Sequence, residues 1–251
     1  MEHYALAAQV YGGALIFARI GAFFMTMPGV GEATVPGQIK LAFSFVLTIA
    51  LFPVLAPLLP AEPNNLFAMA AQLIAELIIG LSIGLILRMF MQALAVAGEV
   101  ISLQTTLSFA QTTNPLQAQP TASVTTFITL VGLTAVFATD LHMLFVAGIV
   151  RSYTLFPAGH GVPMADFNNL MVRTVAQTFA LGVQLSAPVL VFSLVFNIAT
   201  GLIGRVMPQF QIFFVATPLS VLLGLAVFAI SLGGIGVVWI DRYRAFALQW
   251  A

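Results

Sequence analysis

Six apolar runs, each about as long as a helix needs to cross a bilayer, dominate this chain. They cover about 9–27, 39–59, 67–98, 123–150, 174–200 and 212–240, against the roughly 20 residues of a helical span. Strict two-residue alternation is absent, which disfavours a β-barrel. Backbone groups in an apolar setting must then be satisfied inside helices. The expected fold is all-α, an integral-membrane protein with long, kinked helices and helical hairpins.

Composition closes off the other classes. Of 251 residues, 61% are hydrophobic and 6% charged, where a soluble domain carries about a quarter charged. The surface must therefore be buried in lipid, in partner subunits or in both. A soluble enzyme and a disordered regulator are excluded. Eight basic residues balance eight acidic ones, so no basic face exists for nucleic acid. The chain has no cysteine, which removes disulfides, thiolate metal sites and cysteine nucleophiles. Met1-Glu2-His3-Tyr4 lacks the positive start of a secretory signal, so the first apolar stretch is expected to remain.

Several runs are not plain spans. Segment 67–98 is about one and a half times the usual length, and 123–150 carries Asp140 and His142 in its second half. Asp140 is expected to cap a helix starting near Leu141 and so divide that segment. Pro188 and Pro218 lie within apolar sequence and are expected to kink their helices. With six spans, Arg151, Arg173, Arg242 and Arg244 face Lys40, Arg88 and Arg205 on the other side. That near-even split gives no orientation by the positive-inside rule. The connections 28–38, 52–65 and 157–168 are rich in Pro and Gly, and Asp166 is a candidate helix N-cap. No internal repeat is visible.

A stripe at spacing four runs along 67–98: Gln72, Glu76, Gly80, Gly84, Arg88, Gln92. Each step of four advances about 40° past a full turn, so the stripe winds slowly. Gly80 and Gly84 form a G-x-x-x-G pair that admits a second backbone. Arg88 and Glu99, eleven residues apart, lie within about 20° of one face. Gly80, Gly84, Glu76, Arg88 and Glu99 are therefore candidates for helix packing and assembly, with an ion path as the sharper alternative. Those charges can pair within the chain or with partner subunits.

Catalytic signals are weak. Gly80-Leu81-Ser82-Ile83-Gly84 matches G-x-S-x-G, but a nucleophile elbow needs a strand-to-helix turn and Ser82 sits in a helical run. His3, His142 and His160 are far apart and no H-E-x-x-H occurs. No catalytic residue, metal ligand or cofactor is assigned.

Residues 104–122, QTTLSFAQTTNPLQAQPTA, are polar yet carry no charge. One reading is an ordinary surface loop. The other is a loop packed in a narrow interior, with Leu107, Phe109 and Leu116 making apolar contacts and Thr, Gln and Asn satisfying the backbone. Such a loop can leave its place without breaking a buried ion pair, as a plug must. Leu107, Ser108, Phe109, Asn114, Pro115, Leu116 and Pro120 are the candidate plug residues.

The run Gly201 to Phe213 has Arg205 as its only charge and reads as a helical hairpin tip, with Pro208 and Gln209 at the turn. Arg205-x-x-Pro208-Gln209-x-x-x-Phe213, with Pro218 beyond, resembles the flagellar export-gate FliR family. So does Asp140-Leu141-His142 leading to Phe156-Pro157. The order of segments agrees over nearly the whole chain. Ala216 and Thr217 depart from the family pattern, where glycine and an apolar residue are common.

The resemblance implies one export-gate subunit over 1–251, with about 1–170 FliP-like and about 171–251 a FliQ-like helical hairpin. It implies FliP-like and FliQ-like gate subunits as partners, together with FlhB-like and FlhA-like export components, unfolded export substrates and membrane lipid. It implies the bacterial inner membrane and the flagellar basal body. It also implies that a loop matching about 106–120 helps plug a closed channel through which unfolded flagellar proteins pass. Injectisome gates share this plan. A small-solute permease is the competing class, since broken helices and midplane polar residues suit transporters too.

Overall fold

The computed structural model describes residues 2–63, 65–107, 123–159, 161, 164–207, 209 and 211–249, the side chains of 2–7 and 213 aside. Seven α-helices follow in order among the described residues, with no strand: α1 Glu2–Thr26, α2 Gly37–Leu55, α3 Leu66–Gln104, α4 Ser123–Ala138, α5 Leu141–Leu155, α6 Met164–Val206 and α7 Ile212–Ala247. A 3-10 turn, Ala56–Leu58, extends α2. Five helices are long and apolar enough to span a membrane. The α4–α5 pair makes a sixth candidate, bent by 71° at its break. The six apolar runs of the sequence therefore appear as six candidate spans.

Length separates these helices. The span containing α2 has 22 residues, about 33 Å, which suits a bilayer. α3 has 39 and α6 has 43 residues, about 58 and 64 Å, far longer than a hydrocarbon core needs. Pro188 and Pro218, expected to kink their helices, lie inside α6 and α7, which run on past them.

The chain packs as two compact units, and α3, α6 and α7 contribute to both. The first unit comprises Met1–Phe90, Thr139–Val175 and Arg244–Ala251. Its core is built on α1, where Leu15, Ile16, Ile20 and Phe23 are fully buried, together with Ile86 of α3 and Ile149 of α5. Phe90 of α3 stacks on Phe246 at 4.7 Å between ring centroids.

Helix α2 is built inside out. Its buried residues are Lys40, Ser44, Thr48 and Leu55, while Ile39, Phe43, Phe45, Val46 and Ile49 are exposed. The inward hydroxyls bond the preceding turn: Ser44 Oγ donates to the Lys40 carbonyl and Thr48 Oγ1 to the Ser44 carbonyl, each at 2.7 Å. That bonding removes the cost of burying them.

The second unit comprises Met91–Ala138 and Ala176–Tyr243. Ala97 and Ile101 of α3, Val136 of α4, Val189 of α6 and Trp239 of α7 form its core. Small residues set the spacing. A Cβ added at Gly98 would lie 2.5 Å from Thr125 Cα, so α3 and α4 touch there by backbone. Near the 207–211 connection, Ile203 of α6 and Val215 of α7 line one apolar cavity, which makes α6 and α7 a hairpin at that end.

Two expected caps differ. Asp140 does stand immediately before α5, but in a left-handed conformation with φ 57°, and its side chain makes no capping bond. An N-cap side chain reaches the free amides from extended backbone; the left-handed turn at the bend takes that geometry away. Asp166 lies inside the first turn of α6, two residues past the start. There its charge complements the helix dipole rather than closing the end.

Candidate functional site

The stripe read along α3 is an interface with α1, inside one chain. Gln72 Oε1 accepts from the Tyr11 hydroxyl. Glu76 Oε2 accepts from Arg19 Nε at 2.5 Å. A Cβ at Gly80 would fall 2.1 Å from the Arg19 carbonyl oxygen, and one at Gly84 would fall 2.9 Å from the Phe23 carbonyl oxygen. Arg88 Nη2 then meets Glu32 Oε2 at 3.5 Å, just past the end of α1. The partners rise in number along both helices, so α1 and α3 run parallel through this seam. The glycines expected to admit a second backbone admit that of α1.

The seam is electrostatically keyed. The first pair puts the cation on α1, at Arg19, and the anion on α3, at Glu76. The second reverses this, with Glu32 and Arg88. Sliding one helix along the other would separate both pairs, so the pattern fixes register. The Arg19–Glu76 pair is buried, with side-chain exposures of 0% and 1%. The Arg88–Glu32 pair is more than a third exposed on each side, and pairs of that kind contribute little.

Arg19, a lone charge inside the first apolar segment, is the hub of this seam. Its Nη1 donates to Ser152 Oγ at 3.1 Å and its Nη2 to the Phe156 carbonyl at 2.9 Å. Its guanidinium lies 4.0 Å from the Tyr153 ring centroid. Phe156 is the C-cap of α5, so one side chain joins α1, α3 and the end of α5. Planar Arg suits this because its donors fan out in one plane over an aromatic face. A lone Arg in an apolar helix beside a lone Glu in another was the available signal, but sequence spacing does not relate different helices.

Glu99 is handled differently from Glu76 and Arg88. Its Oε1 accepts from Thr125 Oγ1 at 3.0 Å, and among the described residues it forms no ion pair. Gln92, the last member of the stripe, is exposed. A polar relay closes the end of α3: Ser193 Oγ donates to Gln104 Oε1 at 2.6 Å, and Asn197 Nδ2 donates to Ser193 Oγ at 3.3 Å.

Of the candidate plug residues, Leu107 is described, at the last placed position before the segment. Ser108, Phe109, Asn114, Pro115, Leu116 and Pro120 lie outside the described residues. At the hairpin, Arg205 is exposed in the last turn of α6, where its charge complements the helix dipole. Gln209 and Pro218 are exposed, Phe213 lies in α7, and Pro208 is outside the described residues. Ser82 is mid-helix in α3 and 8% exposed, not raised on a turn.

The family model for bacterial export proteins, family 1, matches residues 10–246. The chain belongs to this family of export proteins. Flagellar biosynthetic proteins FliR match it over most of their length. A flagellar biosynthetic protein FliR from Caulobacter vibrioides is 55% identical over 244 residues, 97% of each chain. One from Aquifex aeolicus is 28% identical over 92% of this chain and 89% of its own. One from Escherichia coli is 29% identical over 84% and 80% respectively. The FliR resemblance read from short motifs is thus supported across the whole family match.

Proposed function

We propose that this chain is a non-catalytic structural subunit of the flagellar type III protein export gate. Its relatives carry the name of a flagellar biosynthetic protein, and its family is one of export proteins. The geometric observation that supports an assembled role is uncovered apolar surface. The spans of α2 and α7 are each only 17% buried. That surface is left for lipid and partners.

The finer reading rests on the resemblance. Residues about 1–170 act as a FliP-like part, and about 171–251, containing the α6–α7 pair, as a FliQ-like hairpin. The subunit assembles with FliP-like and FliQ-like chains and contacts FlhB-like and FlhA-like components in the inner membrane at the basal body. Residues about 106–120 help plug the channel against leakage until unfolded substrate passes. The uncharged composition of that segment supports this role, because no ion pair must break when it moves.

Affinity purification of the tagged chain from its native membrane in mild detergent, with mass spectrometry, tests the assembly. The expected result is a discrete complex with small helical membrane subunits. A folded monomer or homodimer would sink the gate reading and favour solute uptake. Ser82→Ala tests the absence of catalysis: export should persist. Lost export with assembly intact would favour an enzyme.

A further inference from the structure

Of the three acidic or basic residues in α3, two are settled inside the chain: Glu76 by Arg19 and Arg88 by Glu32. Glu99 is not. It is exposed, it takes one hydroxyl bond from Thr125, and it meets no basic residue within ion-pair distance among the described residues. The other charged residues in its compact unit are Arg205, Asp241 and Arg242, in α6 and α7.

The surroundings of Glu99 are apolar. Leu103, one turn further along α3, is 61% exposed. Glu99 and Leu103, four residues apart, lie within about 40° of each other on one face of α3. A carboxylate within a candidate membrane span is costly to leave unpaired once its neighbours are covered. A hydrocarbon chain supplies no counter-charge. A protein helix supplies one by presenting Lys or Arg.

We infer that the exposed face of α3 around Glu99 and Leu103 docks a helix of another gate subunit, and that a Lys or Arg of that helix pairs with the Glu99 carboxylate. Charge complementarity commits the occupant: apolar side chains against Leu103, with one cation beside them at Glu99. Thr125 holds the carboxylate in place before the partner arrives, so the pair forms without ordering a free side chain. The inference rests on the gate reading proposed above and names a contact within it.

The chain's lack of cysteine allows a clean test. A Leu103→Cys chain carrying a thiol-linked photo-crosslinker is assembled in native membranes, and the crosslinked peptide is sequenced. The expected product joins it to a partner helix with a Lys or Arg within about one turn. Glu99→Lys should then cut recovery of that partner by more than about tenfold. Reversing the partner's cation to Glu should restore it. Glu99→Gln, which can still accept from Thr125, should leave the chain folded, as judged by protease resistance, and give an intermediate loss.

Full partner recovery with Glu99→Lys would overturn the inference while leaving the gate standing. So would crosslinks to lipid alone, or ready labelling of the Leu103→Cys thiol in the assembled complex by a membrane-impermeant maleimide. A wild-type chain that purifies alone would overturn the gate reading and this inference with it.

Discussion

Arg19 and Glu76 form a buried ion pair between α1 and α3, with Nε 2.5 Å from Oε2 and neither side chain open to solvent. Two more hydrogen bonds from the same guanidinium reach Ser152 and the Phe156 carbonyl. Removing one partner strands the other. Arg19→Met is expected to destabilise the chain by about 3–5 kcal/mol, as does breaking other buried pairs. Arg19→Met with Glu76→Leu should recover part of that loss, because no lone charge then remains buried. Unfolding midpoints in detergent measure both; a double variant no better than the single would refute the pairing argument.

The glycine seam makes a graded prediction. At Gly80 a Cβ would strike the Arg19 carbonyl at 2.1 Å, whereas at Gly13 nothing lies within 4 Å. Gly80→Ala should cost about 1–3 kcal/mol by overpacking. Gly13→Ala should be neutral, or stabilising by up to about 1 kcal/mol through helix propensity. Gly84→Leu should weaken the chain itself, and assembly as a consequence, because its near neighbours belong to α1. Equal melting shifts for the positions 13 and 80 variants would remove the close-approach argument.

Asp140 separates capping from conformation. Its side chain makes no cap bond and its φ is 57°. Asp140→Gly should therefore hold or raise stability, while Asp140→Ala should lose about 1–2 kcal/mol to the left-handed backbone. A loss of similar size in both variants would point to a side-chain role at the bend. Thermal melting of the purified chain distinguishes them.

Deleting part of 106–120 should leave assembly intact and make the membrane leaky to small ions. Conductance of the assembled gate in a planar bilayer reads this out. Unchanged conductance in a complex of normal composition would remove the plug.

Much of the architecture was legible because the hydrophobic pattern is local. Apolar run lengths gave the candidate spans, and Asp140 marked the place where one run breaks into α4 and α5. The Arg205 motif and Asp140-Leu141-His142 pointed to the family, and the lack of charge in 104–122 raised the plug reading. The stripe from Gln72 to Arg88 was visible as a stripe, since its spacing follows from 3.6 residues per turn.

What that stripe faces was decided only by tertiary structure. Sequence periodicity assigns residues to a side of one helix, but it carries no information about which distant helix lies opposite. Arg19 is 57 positions from Glu76 and 133 from Ser152, and their meeting depends on how α1, α3 and α5 pack. The left-handed backbone at Asp140, φ 57°, is likewise visible only in the structure. The sequence by itself determined that the chain is helical, apolar and built of long spans. The tertiary structure decided which of its few charges are spent inside the chain, because pairing requires proximity, and that left Glu99 facing outward.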